Sequence, residues 1–155
     1  MGLFAGPEEY SSDPVVWCEA NIELPKDSAS PGPLRFRRWQ RPIVRTMLDP
    51  SIIQTAAAIG TQLGKTVLQM AGLGYVIVNE PQKILLALPN DELKERFAEE
   101  KLEKALIASP VVKEKIIPTG KGTLGKKYIR FIGGGLYYAI SGSCLLYTSP
   151  SPRDS

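Results

Sequence analysis

The residues that carry the most chemistry in this chain are Gly60-Thr61-Gln62-Leu63-Gly64-Lys65-Thr66. Gly-Lys-Thr at the end of a loop suits a polyphosphate: glycine lets backbone N–H groups approach the oxygens, lysine reaches the β- and γ-phosphates, and the threonine hydroxyl ligates Mg²⁺. That chemistry needs an apolar strand before the loop and a helix after it, because the positive end of the helix favours an anion. Ile52 to Ile59 is short, apolar and partly β-branched, which predicts a buried strand. From Lys65 to Val78 the apolar residues Val67, Leu68, Met70, Ala71, Leu73, Val76 and Ile77 run nearly all round, which predicts a buried helix. The pattern GxxxxGK[ST] wants glycine at position 59; this chain has Ile59, and its glycine comes one residue later.

Two other stretches imitate such chemistry and fail on context. Gly120, Gly125 and Lys126 also fit GxxxxGK, but Lys127 replaces the metal-binding Ser or Thr and a strand is expected next, so a basic turn is the better reading. Leu86 to Glu92 resembles an apolar strand ending in two metal-binding acids. Pro89 and Asn90 interrupt it, and Asp91 and Glu92 suit the first turn of a helix capped by Asn90.

Composition excludes several classes. The 155 residues are enough for one domain with a core. Histidine is absent, which removes Ser-His-Asp and Cys-His catalysis and His-rich metal sites. The two cysteines, Cys18 and Cys144, make neither a metal-spaced pair nor a disulfide framework, and fit a reducing, cytoplasmic setting. A net charge of +3 permits a nucleic-acid partner without requiring one. No apolar run approaches the roughly 20 residues that cross a bilayer, so no membrane is expected, and the first residues lack the pattern of a secretory signal.

The elements that must position the loop follow from pattern. Residues 1–33 are rich in Pro, Ser and acidic residues and read as an extended lead-in, with one short helix near Val15, Val16 and Trp17 and a loop at 28–33. A helix is expected at about 38–48, closed by Asp49-Pro50. Ile84 to Leu88 predicts a second buried strand. The following helix lines Leu93, Phe97, Leu102 and Leu106 on one face and stops at Ser109-Pro110, and a shorter helix covers 111–116. Strands at 128–132 and 136–140 are joined by a Gly133-Gly134-Gly135 turn. Alternating strands and helices predict an α/β fold, a parallel sheet with flanking helices. From Cys144 to Asp154 the residues are similar to one reading frame of a transposase-type sequencing adapter, codon for codon. Residues 144–155 are therefore expected to be an artefactual tail, and 34–143 a partial domain.

Gln62-Leu63-Gly64-Lys65-Thr66 resembles the Walker A loop of viral terminase large subunits, closest to the lambda-like packaging branch. That family commonly lacks the earlier glycine, so Ile59 fits it. The resemblance runs over most of 15–143: Trp17 in the leading segment, Pro31-Gly32-Pro33 before Trp39-Gln40-Arg41, then the loop. Gly74-Tyr75-Val76-Ile77 closes the next helix, Leu88-Pro89-Asn90 opens another, and Ser141-Gly142-Ser143 ends a strand just upstream of the family's Walker B strand. The resemblance implies a RecA-like P-loop NTPase using ATP and Mg²⁺, truncated before Walker B. It implies Gln40 at the adenine, Gly60 through Gly64 and Lys65 at the phosphates, Lys65 as the catalytic cation and Thr66 on the metal. Thr61 stands where some relatives carry an arginine.

By the same resemblance the intact protein couples ATP hydrolysis to translocation of double-stranded DNA in the host cytoplasm. It would work as a homo-oligomer with a terminase small subunit and a portal or procapsid, and would carry a nuclease domain absent here. Without the Walker B aspartate and catalytic glutamate, binding without efficient turnover is expected. Another P-loop enzyme, such as a helicase or a small-molecule kinase, and a non-enzymatic remnant are the alternatives. Arg38, Arg41 and Arg45, near Arg35 and Arg37, fall at helical spacing, and a solvated face is the favoured reading of them over contact with DNA; Lys121, Lys126 and Lys127 are similar.

Overall fold

The computed structural model describes residues 13–92, 97–117, 128–133 and 136–141, which fall in two units. The described part of the first unit lies within 13–80 and 105–114, and that of the second within 81–104 and 115–141.

The first unit starts with a capped helix. Asp13 is extended and its side chain accepts from the Val15 N–H at 3.0 Å, with Pro14 at the first helical position, so helix α1 (Pro14–Asn21) begins there. A two-stranded antiparallel hairpin follows, β1 (Glu23–Leu24) against β2 (Gly32–Pro33). Next come helix α2 (Gln40–Met47) and the 15-residue helix α3 (Lys65–Asn79). Val15, Trp17, Cys18, Ile22, Leu34, Val44, Leu68, Ala71 and Ile77 are buried in this unit. Trp17 meets Tyr75 edge to face with ring centroids 5.3 Å apart. Burial pushes the Cys18 thiol up to about 12, helped by the negative Glu19 and Asp13, so it stays protonated and unreactive.

Residues 14–34 are thus built into the core and are not an extended lead-in. Composition pointed elsewhere because the acidic residues there work locally. Glu19 pairs with Arg41 at 3.2 Å and Asp13 with Arg45 at 2.7 Å, tying α1 to α2. Both pairs are largely exposed and of small energetic weight. The Arg45 hydrogen bond holds the Asp13 carboxyl below its ordinary value of 3.8, against a smaller opposing effect of burial. The Asp13 contribution is therefore present above that ordinary value and is lost as pH falls below it through the folded value. Asp13→Ala is expected to destabilise by about 1 kcal/mol through the lost cap, and Asp13→Asn, which still caps, by less. Urea titrations should show the gap between wild type and Asp13→Asn closing as the pH is lowered through this range.

The expected strand at 52–59 is absent. Residues 54–60 are irregular, Ile53 is fully exposed, and no described strand adjoins this segment. An apolar run becomes a strand only where a neighbouring ladder accepts its backbone groups, and among the described residues none does.

In the second unit β3 (Lys83–Leu88), β4 (Tyr128–Arg130) and β5 (Leu136–Ser141) form a three-stranded sheet in the order β3-β5-β4. β3 and β5 run parallel, pairing Lys83 with Leu136 through Leu88 with Ser141, whereas β4 runs antiparallel to β5. The sheet is therefore mixed. A short connection can only return the chain antiparallel, and it passes through Gly133 at a φ of +98°, as the glycine cluster predicts. β3 is not fully buried: its residues alternate between exposed and half-buried, with Leu85 62% exposed. Phe97–Leu102 is π-helical and continues into α4 (Glu103–Ala108), where Leu102 and Leu106 are buried as expected. Ser109 breaks the chain before the short helix α5 (Pro110–Lys113). Its hydroxyl, in the first unit, accepts from the Glu23 N–H at 2.9 Å. Leu93, the glycine-lysine stretch at 120–127 and residues 144–155 lie outside the described residues.

Candidate phosphate-binding site

The loop 60–66 closes onto α3 through two left-handed residues. Gln62 has a φ of +58° and Gly64 a φ of +82°. Gly64 is the N-cap of α3, and no side chain caps that end. The first intrahelical bond runs from the Leu68 N–H to the Gly64 carbonyl at 3.1 Å. The N–H groups of Lys65, Thr66 and Val67 therefore precede the helical ladder, at the positive end of a 15-residue dipole. Gly64 cannot be replaced freely. Besides its φ, a Cβ there would stand 2.8 Å from Gln40 Nε2.

Lys65 is exposed, and its Nζ donates to the Ile59 carbonyl at 3.2 Å, so the cation lies back across its own loop. Thr66 is half-buried one residue on, while Gly60, Thr61, Gln62 and Leu63 are exposed. The backbone donors, the lysine and the threonine hydroxyl are thus together on one short segment. A cavity of about 470 Å³ lies between α2, residues 55–59 and the start of α3, with Lys65, Thr46, Leu68 and Gln69 in its wall. The donor set fits a polyphosphate: open N–H groups, one mobile cation and no carboxylate in the loop itself. For Mg²⁺ the loop supplies the Thr66 hydroxyl. No cluster of three or more acidic, cysteine or histidine residues occurs among the described residues, so the other ligands would be water and phosphate oxygens.

Gln40 is brought to the loop, as the resemblance implied, but in a specific pose. It is 5% exposed; its Oε1 accepts from the Arg37 N–H at 2.8 Å and its Nε2 donates to the Leu63 carbonyl at 3.3 Å. The signal for the first bond was in the sequence: a glutamine can reach back three residues to an N–H at a helix start, as in a capping box. Nothing local signalled the second. Arg41 and Arg45 are engaged in ion pairs, while Arg35, Arg37 and Arg38 are exposed.

Comparison with known proteins bears on this site. The family model described as "Phage terminase large subunit gpA, ATPase domain" matches residues 28–152, a range that runs past Ser143 into the stretch expected to be adapter-derived. A comparison with curated proteins finds no match. Among solved structures, the large terminase of bacteriophage HK97 is similar with a TM-score of 0.67 at 17% identity, over 93% of this chain and 29% of that one. At that identity the likeness speaks for the fold, a terminase ATPase domain, and this chain spans under a third of the other's length. With the family match covering the loop, α2 and α3 together, the chain belongs to the phage terminase large subunit gpA family through its ATPase domain.

Proposed function

We propose that loop 60–66 binds the phosphates of ATP with Mg²⁺, and that this chain is the ATP-binding portion of a viral DNA-packaging motor. The observation that carries this reading is left-handed Gly64 opening a 15-residue helix with Lys65 directly behind it, in a chain of this family. Bound ATP supplies the phosphoanhydride whose hydrolysis drives the motor. Lys65 leaves the Ile59 carbonyl to reach the β- and γ-phosphates, and the N–H groups from Gly60 to Thr66 surround them. The Thr66 hydroxyl holds Mg²⁺.

In the longer protein, the reading continues, hydrolysis is coupled to translocation of double-stranded DNA in the host cytoplasm. A homo-oligomer would act with the terminase small subunit and the portal, and a nuclease domain would cut the DNA. Residues 34–143 are read as part of the ATPase domain, now with 14–33 packed into the same unit. This chain by itself is read as binding ATP without efficient turnover, because Lys65 and Thr66 position phosphate and metal but neither orients a water.

Titration calorimetry with Mg²⁺·ATP tests the reading. Thr66→Val keeps the side-chain shape and removes the hydroxyl. It is expected to lower affinity ~10-fold with Mg²⁺ present, one charged ligand contact, and to leave metal-free binding unchanged. No heat of binding from a folded wild-type chain would sink the proposal.

A further inference from the structure

We infer that Gln40 is a positioning residue for the phosphate loop, acting through the Leu63–Gly64 peptide and not on the nucleotide base. The inference rests on the phosphate-binding reading above. Gln40 opens α2 with its amide almost wholly buried, at 5% exposure, and a buried amide needs partners for its polar atoms. One end is fixed within its own turn. The Gln40 N–H donates to the Arg37 carbonyl at 2.9 Å, and the Arg37 N–H donates back to Gln40 Oε1 at 2.8 Å. The other end crosses to the loop, where Nε2 donates to the Leu63 carbonyl at 3.3 Å. α2 is in turn anchored by fully buried Val44. The loop is thus tied to the core through a single side chain.

The carbonyl it holds is well placed to matter. The Leu63 C=O and the Gly64 N–H belong to one peptide unit, and no described peptide is cis. A trans peptide is planar, with its C=O and N–H pointing to opposite sides. Drawing the oxygen toward Gln40 therefore turns the Gly64 N–H away from α2, as one of the donors that the anion meets just before Lys65. Glycine is needed at 64 for the same contact, since a Cβ there would lie 2.8 Å from the amide nitrogen that makes it. The amide is oriented by two groups of the chain itself, so its direction does not depend on a bound base.

The test uses the full chain and three probes, each with Mg²⁺: ATP, GTP and inorganic tripolyphosphate, the last having no base. Gln40→Glu keeps an acceptor for the Arg37 N–H but sets an oxygen against the Leu63 carbonyl. Gln40→Met fills a similar volume and makes neither bond. Melting of each variant, followed by circular dichroism, identifies the one that retains the fold. The expected result is a similar loss for all three probes, ~10-fold, the weight of one hydrogen bond near the upper end of its range. Loss of ATP affinity alone, with tripolyphosphate unchanged, would assign Gln40 to the base and overturn the inference. So would unchanged binding of all three probes where Lys65→Ala weakens them. If Lys65→Ala weakens none of them, the phosphate-loop reading itself fails, and the role inferred for Gln40 with it.

Discussion

Replacing Lys65 by alanine is expected to weaken Mg²⁺·ATP binding roughly 100-fold, about 3 kcal/mol for charge-assisted contacts to two phosphates, without lowering the melting temperature. The two halves of that expectation have separate causes. Lys65 is exposed, and the partner printed by its geometry is the Ile59 carbonyl of its own loop, so little of the folded state depends on it. It stands at the first position of α3, where alanine is a good helix former and where removing a positive charge relieves an unfavourable contact with the helix dipole. Binding depends on it far more, because the backbone donors around Gly64 present partial charges and the lysine is the one full charge in the loop. Calorimetry beside a thermal melt measures both. A variant that binds as tightly as wild type would mean that the loop holds no phosphate.

Trp17→Ala is the largest stability effect expected, about 3–5 kcal/mol for truncating a buried tryptophan. A domain of this size has a total stability of only ~5–15 kcal/mol, so the variant is expected to be largely unfolded near physiological temperature. Trp17 is 7% exposed and packs on Tyr75, which lies on the same helix, α3, that Lys65 opens. Truncation would leave the Tyr75 ring without its edge-to-face partner and open a cavity beside Val15 and Cys18, which are already fully enclosed. A urea titration followed by far-ultraviolet circular dichroism reads the change. A loss under 1 kcal/mol, about the level of an ordinary surface change, would show that residues 14–34 are dispensable after all.

The family match and the burial pattern now bear on each other. The match begins at residue 28, yet α1, before it, supplies Val15, Trp17 and Cys18 to the core beneath α3. A segment outside a family's common pattern can still be needed for the site, because it supports the helix that presents Lys65.

What this sequence determined by itself is what is decided within a few residues. Gly64 could enter the left-handed region, the apolar residues from Leu68 to Ile77 could cover a helix nearly all round, and Ser109-Pro110 could stop one. Dihedral freedom, capping and helical period act over one or two turns, so α3 and the loop before it were legible, as was the Gly133 turn. The tertiary structure decided whatever depends on a distant partner. Ile52 to Ile59 reads as a strand but has no described ladder beside it; β4 turned out antiparallel to β5; and Glu19 and Asp13, which made the first residues look like a lead-in, hold α1 against α2. Gln40 shows the difference most clearly. Its bond to Arg37 is three residues long and was readable, whereas its bond to the Leu63 carbonyl, 23 residues away, exists only because α2 packs where it does. Strand pairing and burial reward contacts between segments far apart in the chain, and no local pattern encodes which segment will be there.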